Sequence, residues 1–253
     1  MCTVSYIPLK DGVVLTSNRD EHTSRGIAVY PEFYILNGKK LAFPKDVKAG
    51  GTWFITNEKG DAAVLLNGAF EKHIPNPPYR KSRGLVLPDL FQEDSPLEAA
   101  KGYDFSGIEN FTIILWELGK LCELRWDGKI LNHKSLNPKK AHIWSSVTLY
   151  DIAMITKRHL WFHDWETSRT QITQKHILHF HSNTQTENKE FGLRISRSND
   201  ISTTSITSLC INMQKANFYH YDFILNIEST LHYDLPNAQP ISSPLINDNE
   251  TAQ

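Results

Sequence analysis

The 253-residue chain carries 27 Lys and Arg against 28 Asp and Glu, a formal charge of −1, which excludes a strong electrostatic pull toward nucleic acid or an anionic membrane surface. Hydrophobic residues make up 40% of the sequence, enough to bury a core and exclude disorder for most of its length. The longest apolar runs, 62–66 and 113–116, fall far short of the roughly 20 residues that span a bilayer, so a soluble protein without membrane insertion is expected.

Short β-rich pieces at 3–7, 13–17, 52–56 and 62–66 are separated by the turn signals Asp11-Gly12, Gly50-Gly51 and Lys59-Gly60, and predict strands. Residues 82–92 and 96–101 then read as helical. The stretches 111–116, 121–126 and 129–131 return to strands as a meander through Leu118-Gly119-Lys120 and Asp127-Gly128. A longer helix is expected over about 149–165, where Ile152, Ile155, His159 and Phe162 recur at helical spacing, and a shorter one near 171–180. Strands near 206–213 and 217–223 close the pattern. Strands and helices in this order predict an α+β fold of two mainly antiparallel sheets packed face to face with helices outside. One domain is expected over 1–234, and the polar, Pro-bearing segment 235–253 reads as a loose tail.

Residues 1–6 contain neither a basic segment nor an apolar stretch of secretory length, and Cys2, Cys122 and Cys210 cannot all pair, so a reducing, cytoplasmic setting is expected. Cys122 and Cys210 fall inside strand patterns as buried, unreactive thiols. Cys2 is different. Methionine aminopeptidases remove Met1 when the second side chain is small, which would make Cys2 the N-terminal residue. It would then hold a thiol and a free α-amine on one carbon, and an amine with a pKa near about 7.7–8.0 can accept the thiol proton at neutral pH.

The short turn over 9–12 joins the first two strands into a hairpin whose register sets Cys2 opposite residues 19–21, within the run Asn18-Arg19-Asp20-Glu21. An arginine beside the cysteine favours its thiolate, and a carboxylate nearby orients the amine. Local sequence thus assembles a nucleophile, a base and two charged orienting groups.

Met1-Cys2-Thr3, the Asn18-Arg19-Asp20-Glu21 run, Gly50-Gly51-Thr52-Trp53 and the strand into Leu66-Asn67-Gly68 together resemble the NRDE family, named in animals for transport and Golgi organisation. That family is in turn similar to the N-terminal nucleophile hydrolases, near the penicillin V acylases and bile salt hydrolases. The resemblance covers about the first 70 residues and implies a four-layer αββα sandwich. It also implies catalytic roles for Cys2 as nucleophile, Asp20 as partner of its amine, Arg19 as neighbour of the thiolate and Asn67 as an oxyanion donor. Trp53 and Asn18, beside this group, are the candidate substrate contacts.

Two departures from the acylases stand out. Arg19 immediately precedes Asp20 instead of standing three residues before it, which would turn the two side chains to opposite faces of a strand. The places for a second asparagine and a late arginine read Trp144-Ser145-Ser146 and Ser202-Thr203-Thr204-Ser205, with neither residue type present.

Seven of the 11 histidines lie between His133 and His181, including the pair His159 and His163. The pair lacks the internal glutamate of a His-Glu-x-x-His site, and Trp161, Phe162 and Trp165 around it point to packing, so no metal site is assigned. Gly50-Gly51-Thr52-Trp53 lacks the Lys-Ser/Thr of a phosphate loop and reads as a glycine turn that lets Trp53 pack near the hairpin. Lys72, His73, Arg80, Lys81 and Arg83 place positive charge about the Pro75-Asn76-Pro77-Pro78 loop, either as a solvated loop or as a rim favouring an anionic group. The expectation carried forward is a cofactor-free cysteine hydrolase of an amide or thioester in a small acylated molecule. The alternative, kept open by the histidine cluster and implied by the resemblance to the animal relatives, is a non-catalytic carrier of haem or another amphipathic ligand on the same scaffold.

Overall fold

The computed structural model describes residues 2–212 and 214–236. The first hairpin, β1 (Cys2–Leu9) and β2 (Gly12–His22), forms the centre of one sheet. The next four strands, β3 (Ala28–Leu36), β4 (Lys39–Asp46), β5 (Phe54–Asn57) and β6 (Ala62–Asn67), begin the other. After α1 (Val86–Phe91) and α2 (Pro96–Gly102) that second sheet resumes with β7 (Phe111–Glu117), β8 (Lys120–Trp126) and β9 (Leu131–Leu136). The chain then returns to the first sheet through β10 (His142–Ser145), crosses its outer face as α3 (Ile152–Thr167) and α4 (Gln174–Asn183), and ends in β11 (Ile201–Asn212), β12 (Lys215–Asp222) and β13 (Ile227–Asp234).

One sheet therefore has the order β10-β1-β2-β11-β12-β13 and the other is the meander β3 to β9, with antiparallel neighbours throughout. Alternation of side chains gives each sheet two apolar faces. Val4, Tyr6, Leu15, Leu209 and Phe218 from one sheet meet Phe54, Val64, Leu66, Ile114 and Trp116 from the other to form the central core. The outer face of the meander buries Ile55, Leu65, Ile113 and Leu115 under Leu87, Leu90 and Phe91 of α1 and Ala100 of α2. On the far side, Ile7, Val14 and Ile143 pack under Phe162 of α3 and Ile177 and Phe180 of α4. This is the expected αββα sandwich.

Several elements differ from the sequence reading. Strands β3, β4, β10 and β13 were not anticipated, and the stretch read as a helix from residue 82 opens with a 3-10 turn at Arg83–Leu85 before α1. Leu235, assigned to the tail, is fully buried in the central core, and its N–H donates to the Gln214 carbonyl at 2.6 Å. Residues 237–253, the rest of that segment, lie outside the described residues. Among the described residues, no helix is long and apolar enough to cross a membrane.

Candidate functional site

Cys2 opens β1 and pairs directly with Arg19 of β2, so the two side chains share the inner face of the sheet. The short hairpin fixes that register, as the sequence predicts. Cys2 is buried at 2% exposure, and burial pushes its thiol above the usual range, with a further push from the Asp20 charge. The amino terminus, a hydrogen bond from Ser17 and the Arg19 charge act in the opposite direction without outweighing burial. At neutral pH the thiol keeps its proton and needs a base beside it to react.

Arg19 is held on three sides. Its Nη2 meets Asp46 Oδ2 at 2.6 Å, its Nη1 donates to Thr204 Oγ1 at 3.2 Å, and its guanidinium lies 4.8 Å from the centre of the Trp53 ring. Arg25 also reaches Asp46 Oδ2, at 2.9 Å. The Gly50-Gly51 turn brings Trp53 to this position. A side chain at Gly51 would run into the Gly84 backbone, 2.3 Å from a Cβ, where the Thr52 N–H donates to the Gly84 carbonyl at 2.8 Å.

Asp20 follows Arg19 and so turns to the outer face of the sheet, beneath the start of α3. It is fully buried, accepting from the Tyr150 hydroxyl at 2.8 Å and the Thr203 hydroxyl at 2.7 Å. Alternation lets neighbouring threonines of β11 serve both charged residues, Thr203 opposite Asp20 and Thr204 against Arg19, where a β-bulge between Thr203 and Ser205 shifts the register. Burial pushes the Asp20 carboxyl above its usual range, against the Arg158 charge, the two hydroxyls and the amino terminus.

Across from Cys2, Asn67 ends β6 and lines the same cleft, with no side-chain hydrogen bond among the described residues. Ser146 ties the two walls together, since its N–H donates to the Cys2 carbonyl at 3.0 Å and its hydroxyl to the Asn67 carbonyl at 2.8 Å. The cleft holds about 290 Å³ and is closed on the remaining side by Tyr79, Lys81, Ser82 and Arg83. Arg83 pairs with Glu109 at 3.0 Å, and Lys81 with Asp89. The second half of the cationic loop thus rims the cleft, and its charges are matched by carboxylates.

The structure brings Cys2, Arg19, Trp53 and Asn67 to one cleft and places Asp20 behind the same strand ends. Asn18 is a correction. By alternation it faces outward, donating to the carbonyls of His181 at 3.0 Å and Leu193 at 2.6 Å, so it ties β2 to α4 and cannot touch a substrate in the cleft. His159 and His163 lie on the solvent side of α3, beside a separate hollow of about 390 Å³ that Trp144 and His142 also border. Among the described residues, no group of three or more His, Cys, Asp or Glu is placed to hold a metal.

Sequence reading missed Arg158, Tyr150 and Thr203. The segment searched for a late arginine holds instead the two threonines that grip Arg19 and Asp20, and the segment searched for a second asparagine holds the bridging Ser146. The one available signal was an arginine at the centre of a helix face that otherwise packs inward, at Met154, Arg158 and Phe162.

A family model described as Transport and Golgi organisation 2 matches residues 1–224. The chain belongs to this family. No curated protein matches it. Among solved structures, a Caenorhabditis elegans N-acylethanolamine-hydrolyzing acid amidase ortholog is similar, with a TM-score of 0.59 at 11% identity, covering 82% of this chain and 92% of its own. A mutant conjugated bile acid hydrolase from Clostridium perfringens aligns with a TM-score of 0.57 at 11% identity, covering 96% and 95%. At that identity the likeness establishes the fold alone.

Proposed function

We propose that, once Met1 is removed, this chain is an N-terminal cysteine hydrolase that cleaves the amide or thioester bond of a small acylated molecule. The observation that carries the reading is the joint placement of Cys2 and Asp20. The thiol lines the cleft at the first position of β1, and the buried Asp20 carboxylate follows directly on its strand partner Arg19, close enough for its charge to act on the thiol. The family and the two hydrolase folds support it.

In this scheme the Cys2 amine, steadied by Asp20, takes the thiol proton as Sγ attacks the substrate carbonyl, and then passes it to the departing amine or thiolate. The oxyanion accepts hydrogen bonds from Asn67 Nδ2 and neighbouring backbone N–H groups. Water, deprotonated by the same amine, then attacks the acyl-cysteine, releasing the acid and regenerating the thiol. Arg19, locked by Asp46, Thr204 and Trp53, supplies positive charge beside the thiolate without being free to swing away.

The test begins with the intact mass of protein made without an N-terminal tag, which reads whether Met1 is gone. Wild type and Cys2→Ala are then compared on a panel of amides and thioesters. The expected result is a loss of about a thousand-fold or more in kcat/KM for the variant. Equal turnover by the two proteins, or retention of Met1 in an active preparation, would refute the mechanism.

A further inference from the structure

The most unusual buried group outside the cleft is Arg158. It projects from the middle of α3 into the sheet and is 0% exposed. Its Nη1 donates to the Thr3 hydroxyl at 2.6 Å, its Nη2 to the Gly192 carbonyl at 2.6 Å, and its Nε to the Phe191 carbonyl at 3.4 Å. None of these partners carries a charge. A cation removed from water and satisfied only by neutral acceptors is expensive unless an anion lies close by. The guanidinium stacks on the Tyr150 ring, 3.5 Å from its centre, and the hydroxyl of that tyrosine donates to Asp20 at 2.8 Å. Asp20 is therefore the counter-charge of Arg158, with Tyr150 between them.

We propose that Arg158 is a positioning residue for the Cys2 centre: from behind the sheet its charge favours the ionised form of Asp20 against the burial of that carboxyl, so that Asp20 can anchor the amine of Cys2. The inference rests on the hydrolase reading for its purpose, but the charge relation between Arg158 and Asp20 stands apart from any turnover. It also accounts for an arginine deep in the fold when β11 offers only threonines at Asp20 and Arg19.

The charged and titratable groups that face Asp20 can be named from each element. Cys2 of β1 lies on the opposite face of the sheet but within reach of its charge, Tyr150 meets it from the loop before α3, and Arg158 acts on it from α3 itself. Arg197 lies beyond Tyr150, 5.3 Å from its ring centre. His181 of α4 is held neutral by burial and by the Arg158 charge, with its pKa pushed down to about 3. Of these, Arg158 has the largest influence keeping the Asp20 proton off.

The experiment titrates Asp20 directly, by carboxyl ¹³C NMR of aspartate-labelled full-length protein, with the Asp20 signal assigned by its loss in D20N. Arg158→Gln is expected to raise the Asp20 midpoint by one pH unit or more, a tenfold gain in proton affinity, and Arg158→Lys to restore most of the difference. An unmoved midpoint in folded R158Q would overturn the proposal. If R158Q does not fold, the Arg158 guanidinium ¹⁵N signals of wild type are followed through the Asp20 titration. Signals that do not move at the Asp20 midpoint would then overturn it. Where wild type turns over a substrate, the acid limb of kcat/KM should move with the Asp20 midpoint, and an acid limb that stays in place while the midpoint moves would also overturn the positioning role. If wild type turns over nothing, the hydrolase reading fails and the titration alone decides the relation between Arg158 and Asp20.

Discussion

Asp46 serves two arginines at once, and the site depends on it more than its place outside the recognised motif indicates. Burial alone would raise its carboxyl, but the Ala49 N–H and the charges of Arg25 and Arg19 outweigh burial and hold it below the usual range. The pair with Arg19 is almost dry, at 6% and 10% side-chain exposure, whereas Arg25 keeps 35% and can turn to water. Asp46→Ala should therefore leave one uncompensated buried cation and cost about 3–5 kcal/mol of stability, most of it from Arg19. Urea denaturation at neutral pH reads this. The double change Arg19→Met with Asp46→Leu removes both charges together and should recover most of the loss. A cost for the single variant below about 1 kcal/mol would mean that Arg19 finds water in the cleft, and with it room to move.

The strands that hold the site were legible wherever apolar alternation meets a buried face, as in β1, β2, β6, β7 and β8, and the hairpin register of Cys2 followed from turn length alone. Strands β3 and β13 escaped because they are sheet edges, with mixed exposure along both faces, and β10 because four residues give no period to read. The environment of Asp20 escaped for another reason: Tyr150 and Thr203 lie 130 and 183 residues away in sequence, and only the loop before α3 and the pairing of β11 with β2 bring them together. The connection from β6 to the loop after β10 is similarly long-range and makes a prediction. Gly68, at φ +84°, leaves no room for a side chain, since a Cβ would lie 2.7 Å from Val147 Cγ2 and 2.8 Å from Thr148 Cγ2. Gly68→Ala combines about 1–2 kcal/mol of backbone strain with overpacking of the loop whose Ser146 grips the Asn67 carbonyl. The expected result is a fall of several degrees in Tm and a loss in kcat approaching the roughly hundred-fold typical of a displaced oxyanion donor. An alanine variant that melts and turns over like wild type would show that the loop yields without moving Asn67.

At the scale of the molecule, two buried imidazoles, His220 in the six-stranded sheet and His181 on α4 packed against it, make stability depend on pH in a window of their own. His181 sits between Ser5 and Asn18, at 2.8 Å from Nε2 and 3.1 Å from Nδ1. The Asn18 amide donates to two carbonyls, so its oxygen accepts from Nδ1, and Nε2 is left to accept from Ser5, the neutral tautomer. His220 touches Thr207 at 2.8 Å through Nδ1, while its buried Nε2 has no partner among the described residues. Burial, reinforced by Arg158 for one and by Arg19 for the other, lowers both pKa values to about 3. In the unfolded chain each titrates near about 6.5. Below that pH the unfolded state binds protons that the folded state refuses, so the stability from each is full above about 6.5 and is lost as pH falls toward 3. At pH 5 the loss is about 2 kcal/mol for each, a sizeable share of a typical domain's 5–15 kcal/mol. Carboxylates held low, such as Asp46 and Glu21, lose their contribution only as pH falls below about 4, whereas the raised Asp20, Asp61 and Glu117 act in the opposite sense and offset part of the slope. Comparison with variants isolates the imidazole share. Denaturation free energies measured at pH 7.5 and pH 5 should differ less in His220→Gln than in wild type by about 2 kcal/mol, and His181→Gln should show the same reduction even though it forfeits its hydrogen bonds at both pH values. If either variant keeps the full wild-type difference, that imidazole is taking up its proton inside the folded protein, and acid must be acting on the fold through the carboxylates instead.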